Sequence, residues 1–213
     1  MSTAKSQNSL DLIIDTAMKA AETQGWASLT LYDIAHQSGV PLEQLYEIVR
    51  SKQDILSQFS KRVDRAVLRE FERDEVDSVR DRLFELILAR FDEMEPFREG
   101  LKSIANASMT DGTAAFCGYQ RLSRSMKWTL DAAGVSTSGI SGALKVKFLV
   151  GVYLKAVRVW FNDESEDFAK TMKVVDQSLE QAEKWASYLN ERRPGSWKAG
   201  KDKFTDEEVI VET

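Results

Sequence analysis

The chain has 213 residues and a net charge of −5, with 43% hydrophobic and 30% charged residues, the composition of an ordinary globular protein. No overall positive charge marks it as a nucleic-acid-binding protein, and its single cysteine, Cys117, excludes an intrachain disulfide. The only histidine, His36, lies far from Cys117 in the sequence, which argues against a zinc site and against a Cys–His catalytic pair.

The N-terminal third of the chain shows helical spacing of apolar residues, interrupted by capping and turn signals. Residues 10–21 predict a first helix, and Gly25 suits its C-terminal cap. Thr30 and Asp33 form a capping-box pattern that starts a second, short helix. The turn Ser38-Gly39-Val40 follows, and Pro41 suits the first turn of a third helix.

A second capping-box pattern at Ser51-Lys-Gln-Asp54 predicts a long helix that joins this region to the rest of the chain. Amphipathic helices are then predicted over residues 83–94, 101–105 and 115–130, followed by a loop over 134–142. Alternating strand patterns are not found. The sequence therefore predicts an all-α protein with an N-terminal helical unit (residues 1–52), a larger helical bundle (53–190) and a charged, aperiodic tail (191–213).

Two apolar helices are predicted near the end of the bundle. Residues 144–161 are apolar almost all round, and from Phe168 apolar residues recur at alternating spacings of four and three. Such a pair packs lengthwise, either as an internal core pair or as half of a four-helix dimer interface. We expect a homodimer whose interface includes Phe148, Val152, Phe168, Met172, Val175, Leu179 and Ala182.

The stretch TLYDIAHQSGVPLEQLYEIVRSKQDIL, residues 30–56, resembles the helix-turn-helix of the TetR family of bacterial transcriptional regulators. Its matching residues before Leu56 are Thr30, Asp33, Ile34, Ala35, Gly39, Val40, Leu45, Tyr46, Ser51 and Lys52. The resemblance implies an all-α homodimer, with a three-helix domain that places a recognition helix in the major groove of operator DNA. It also implies a small-molecule pocket in the bundle, and a regulator, a repressor in the usual case, that a ligand releases from DNA.

Within this pattern we predict DNA contacts from seven residues: Thr30, Gln37, Ser38, Gln44, Tyr46, Arg50 and Lys52. The amides of Gln37 and Gln44 can pair with adenine, and Tyr46 and Lys52 match family positions that hold phosphate. Two departures oppose this prediction. Ile48 and Val49 replace an aromatic or imidazole residue and a phenylalanine of the family pattern, and residues 1–60 contain four basic against seven acidic residues, a net charge of −3.

Aromatic and methionine side chains concentrate in the predicted bundle. For most of them core packing is the default interpretation, but the family resemblance implies that a subset lines a pocket for a small apolar ligand. The candidates are Phe91, Met94, Phe97, Met109, Phe116, Tyr119, Trp128, Tyr153 and Trp160.

An alternative function is a TetR-like protein that has lost DNA binding and binds a lipid, as the lipid-binding protein of coenzyme Q biosynthesis does. That protein has an added C-terminal amphipathic helix, whereas the apolar residues of the present tail, such as Trp197 and Phe204, are too sparse for one. We therefore expect no stable membrane insertion. The N-terminus has no signal-peptide pattern, which favours a cytoplasmic protein. No cofactor motif or catalytic constellation is found, and we expect no enzyme.

Overall fold

A computed structural model describes residues 2–72 and 78–191. These residues form helices and no strand, which confirms the all-α prediction. The helices are α1 Ser2–Gln24, α2 Leu31–Ser38, α3 Leu42–Ile48, α4 Lys52–Glu70, α5 Val79–Met94, α6 Arg98–Thr110, α7 Gly112–Ala132, α8 Gly139–Trp160 and α9 Ala169–Glu191, with short 3₁₀ turns at Glu95–Phe97 and Glu166–Phe168. None of the described helices is long and apolar enough to cross a membrane.

Helices α1 to α3 form the unit that we call the head, which packs on the start of α4. The predicted capping box is present: the Thr30 hydroxyl accepts a hydrogen bond from the Asp33 amide, and the Asp33 carboxylate accepts one from the Thr30 amide. Gly39 follows α2 with φ of +67°, a left-handed conformation that a side chain disfavours. This turn directs α3 away from α2, as the sequence predicted.

The head is tied to the bundle through α6 as well as through α4. Gly100 lets α6 approach α1 closely, because a Cβ at this position would lie 2.3 Å from the Met18 carbonyl oxygen. In the same region the Trp26 amide donates to the Ser103 hydroxyl, 3.0 Å away. The predicted boundary at residue 52 therefore falls between two units that share packed surfaces.

The bundle contains α4 to α9, in which α8 packs against α7 and α9. Val152 of α8 is buried, and so are Val175 and Leu179 of α9, where α9 packs on α5 and α8. These three side chains lie inside the protomer, which corrects their predicted place in a dimer interface. An apolar row at helical spacing is compatible with an internal core pair and with a dimer interface. In the structure it is α5, not a second protomer, that packs on this row of α9.

Other element predictions differ in length. The predicted short helix at 101–105 is the middle of α6, which has 13 residues, and the predicted loop at 134–142 ends early because α8 already begins at Gly139. Of the predicted tail, residue 191 is the end of α9 and residues 192–213 lie outside the described residues.

Candidate functional site: the helix-turn-helix and the bundle cavity

The head exposes one side of α3. Tyr46 is 75% exposed, and Gln37, Glu43, Glu47 and Arg50 are exposed with it. Three of the seven predicted DNA-contacting residues thus have free side chains on the surface, namely Gln37, Tyr46 and Arg50. Among the described side chains of that surface, two carboxylates stand beside a single cation, Arg50, so its charge does not favour phosphate.

Lys52 does not point into solvent. Its Nζ donates to the backbone carbonyls of Trp26 and Leu29, at 2.7 and 2.6 Å, and lies 5.0 Å from the centre of the Trp26 ring. Burial in this position lowers the pKa of Lys52. The ammonium holds the connection between α1 and α2, which corrects its predicted role as a free phosphate contact.

Three other predicted contacts are also held within the head. Ser38 is only 8% exposed, and its hydroxyl donates to the Ala35 carbonyl and accepts from the Val40 amide. Ser38 is therefore corrected to a turn-stabilising residue. The Gln44 amide donates to Ser9 of α1, 3.0 Å away, and the Thr30 hydroxyl is engaged in the capping box, whose hydrogen bonds lower the pKa of Asp33.

A cavity of about 370 Å³ opens between α4, α6, α7 and α8. Its wall includes Leu56 and Phe59 of α4, so the helix that follows the head also bounds the cavity. Four of the nine predicted ligand-binding residues line it: Met94, Tyr119, Tyr153 and Trp160. The volume is at the lower end of the range for small-molecule sites.

The other five predicted ligand residues lie elsewhere. Phe91 is buried behind the cavity and stacks on Tyr153 with ring centres 5.3 Å apart, and Phe97 packs edge-on against Phe59. Met109, Phe116 and Trp128 are exposed on α6 and α7. Their placement corrects them to core packing in the first two cases and to surface positions in the last three, because composition does not show which side of a helix faces a cavity.

Arg90 and Tyr153 of the cavity wall belong to a polar cluster. Arg90 is buried, forms an ion pair with Asp64, and donates to the Tyr153 hydroxyl at 3.2 Å. Ser125 donates to the same Asp64 carboxylate. Burial disfavours the charged guanidinium, but neighbouring Tyr153 and Asp64 outweigh it and raise the pKa of Arg90, while burial raises the pKa of Tyr153. Asp64 thus neutralises Arg90, and Arg90 links α4 to α5 and α8.

A second arginine, Arg121 of α7, lines the cavity and is partly buried. Its guanidinium donates to the side-chain oxygen of Gln53, 2.8 Å away in the first turn of α4. Among the described residues no carboxylate forms an ion pair with it, and burial lowers the pKa of Arg121. The cavity therefore contains one neutralised arginine and one whose partner is an uncharged amide.

The corner between α8 and α9 is built around one carboxylate. Asp163 is 2% exposed and accepts hydrogen bonds from the amides and hydroxyls of Ser165 and Thr171. Burial opposes the charge, but these hydrogen bonds outweigh it and lower the pKa of Asp163 to about 2. The carboxylate fixes the direction in which α9 leaves α8.

The chain thus combines a helix-turn-helix head with an all-α bundle. A TetR transcriptional regulator from Nitrosomonas europaea is similar over 82% of this chain and 97% of its own, with a TM-score of 0.67 and 24% identity. Two TetR regulators from Rhodococcus sp. match 81% of the chain at 16% and 17% identity, covering 97% and 99% of their own length, with TM-scores of 0.56 and 0.57. The chain has the TetR fold, and the predicted resemblance is confirmed at that level.

A second likeness is confined to the end of the bundle. The family model described as COQ9 matches residues 146–186, which is most of α8 and α9 with the Asp163 corner between them. No curated protein matches the sequence significantly. The likeness to the solved structures therefore extends over most of the chain, whereas the family-model match is limited to the C-terminal helix pair.

Sequence reasoning missed Arg90, Arg121 and Asp163. Each is a charged residue inside a helix or at its end, where a solvated surface position is the default interpretation. A signal was present for Arg90, because it lies three residues after Ile87, four after Leu86 and seven after Leu83 and hence on the apolar side of its helix. Only the packing of α4, α7 and α8 reveals which charges face one another.

Proposed function

We propose that the protein is a ligand-responsive transcriptional regulator that binds DNA as a homodimer through α3. The observation that carries this proposal is the position of α4. Its first turn lies directly after the helix-turn-helix, and further along its Leu56 and Phe59 form part of the cavity wall. A ligand that shifts α4 therefore shifts the head that α4 supports, which gives two sites coupled by one element.

The DNA surface in this proposal consists of Gln37, Tyr46 and Arg50, since Lys52 is held internally. In this proposal Glu43 also reads a base, because its carboxylate can accept a hydrogen bond from the amino group of cytosine in the major groove. With one exposed cation among the described residues of this surface, we expect binding to depend on base contacts more than on phosphate contacts, and to be weak for unrelated sequences.

The dimer in this proposal forms through the outer side of α8. Leu144, Phe148 and Leu154 are all more than two-fifths exposed and lie on one side of the helix, together with exposed Gly151. Exposed apolar side chains bordered by charged ones, here Lys147 and Lys155, are typical of a protein interface, which has an apolar core and a polar rim. Of the predicted interface residues Phe148 remains in this proposal, and half-buried Phe168, Met172 and Ala182 are not needed for it.

The test is a selection from random DNA at low salt, followed by titration of the enriched sequence. We expect specific binding that Tyr46→Ala abolishes, while Arg69→Gln, which removes an exposed cation in the last turn of α4, leaves it unchanged. Failure to enrich any sequence would refute the DNA-binding part of the proposal.

The second candidate is a lipid-binding protein without DNA binding. The COQ9 match over residues 146–186 favours it, and so does the acidic surface around Glu43 and Glu47. Native mass spectrometry of the protein as isolated from cells distinguishes the two candidates. A co-purified lipid in the absence of any enriched DNA sequence would favour the lipid-binding function.

A further inference from the structure

The cavity wall is apolar except for a few polar groups, and their charges are unequal. Leu101, Ile104, Leu122 and Val157 supply apolar surface around its middle. Among the described residues that line it, two are basic, Arg90 and Arg121, and none is acidic. An apolar space with an excess of positive charge suits a ligand with an apolar body and an anionic group.

Arg90 does not supply that excess. It is buried against Asp64 in an ion pair, and Asp64 is held in turn by the Ser125 hydroxyl. This pair is neutral as a unit, and breaking it would leave a buried carboxylate without its partner, at a large cost in free energy. Arg90 therefore stays with Asp64 when a ligand enters.

Arg121 is the cation of the cavity whose positive charge is not neutralised by a carboxylate among the described residues. Its partner, the Gln53 side-chain oxygen, is an uncharged acceptor 2.8 Å away. A guanidinium binds a carboxylate through two parallel, charge-assisted hydrogen bonds, which are stronger than its bond to an amide. We propose that the cavity binds an apolar carboxylic acid whose carboxylate takes the place of Gln53 on Arg121. This inference rests on the proposed function only in treating the cavity as a ligand site.

Replacement of Gln53 by the ligand would couple the cavity to the head. Gln53 is the second residue of α4, next to Lys52, which holds the connection between α1 and α2. The Arg121–Gln53 hydrogen bond fastens the first turn of α4 to α7. A carboxylate bound to Arg121 releases the first turn of α4 from α7. Ligand binding in the cavity therefore affects α4, on which the head packs.

Isothermal titration calorimetry with decanoate and decanol, below the concentrations at which they aggregate, tests the proposal. The two probes share a chain and differ in charge. We expect the wild-type protein to bind decanoate more tightly, and Arg121→Gln to weaken decanoate binding by about tenfold or more while leaving decanol binding unchanged. Arg124→Gln removes an exposed cation from the same helix and is the matched control, with no expected effect. Circular dichroism verifies that each variant is folded.

Gln53→Leu provides a test of opposite sign. It removes the competing acceptor and leaves Arg121 without a partner, so decanoate binding should become several-fold tighter. Weaker decanoate binding by this variant would overturn the exchange between Gln53 and the ligand. If the wild-type protein binds decanoate and decanol equally well, the proposal that the ligand is a carboxylic acid is overturned, but the cavity can still be a ligand site. If neither probe binds, the ligand-binding role of the cavity in the proposed function is refuted as well. None of these outcomes depends on DNA binding.

Discussion

The head and the bundle use their polar side chains differently. In the head, Ser38 and Asp33 are hydrogen-bonded to nearby backbone, and Lys52 at the start of α4 donates to the Leu29 carbonyl; these bonds hold the helix-turn-helix together. In the bundle, Arg121 lines a cavity with an uncharged partner. The surface expected to meet a charged polymer is thus poor in cations, and the cavity expected to meet a small apolar ligand has one to offer. The cavity is therefore better equipped for electrostatic recognition than the exposed surface around α3.

The largest effect is expected from charges placed on the two sides of the α8–α9 pair. Leu179 is 3% exposed, so Leu179→Glu buries an unpaired carboxylate and should cost about 3–5 kcal/mol of the free energy of unfolding. Phe148 is 44% exposed, so Phe148→Glu should leave the protomer folded and dissociate the proposed dimer. Chemical denaturation and sedimentation velocity measure both. A folded Leu179→Glu protein that becomes monomeric would return the interface to the α9 row.

A smaller loss of stability is expected in the head. Lys52→Met keeps most of the side-chain length but removes the ammonium from the carbonyls of Trp26 and Leu29, and should cost about 2–3 kcal/mol. Arg50→Gln, on the exposed surface two residues earlier, should leave the midpoint of urea unfolding unchanged. If the two variants unfold alike, Lys52 is available to solvent and to phosphate, and the contrast between head and bundle disappears.

The α8–α9 corner should give the bundle a pH dependence. The folded-state pKa of Asp163, about 2, lies below the ordinary value of 3.8, so its carboxylate stabilises the fold above about pH 4 and loses this contribution as the pH falls towards 2. The shift corresponds to about 2 kcal/mol. Asp163→Asn should destabilise the protein by this order at pH 7 and flatten the dependence of stability on pH between 4 and 2, as measured by urea unfolding. An unchanged slope would place the acid sensitivity in other carboxylates.

The sequence predicts local structure well where a short segment determines it. Thr30 and Gly39 mark a helix start and a turn through their own backbone chemistry, and both features are present in the structure. Predictions that depend on distant packing were less successful. Lys52 matched a family motif, but its direction depends on carbonyls more than twenty residues earlier, and the α9 row could not show whether α5 or a second protomer covers it.

The smallest expected effect is on the salt dependence of DNA binding, and it tests most directly whether the head is poor in cations compared with the cavity. Among the described side chains at and just after α3, only Arg50 offers a cation to phosphate, because the ammonium of Lys52 is bound to carbonyls of the head. Each phosphate contact adds about one unit to the slope of log affinity against log salt concentration, so a dimer with one such contact per protomer should show a slope of only about −2. Arg50→Gln should bring this slope close to zero with little change in sequence preference, whereas Arg69→Gln should leave it as it is. Fluorescence anisotropy across a salt series measures the slope. A steep slope that survives Arg50→Gln would show that other cations meet the DNA, and the head would then be a more conventional phosphate-binding surface than its exposed carboxylates indicate.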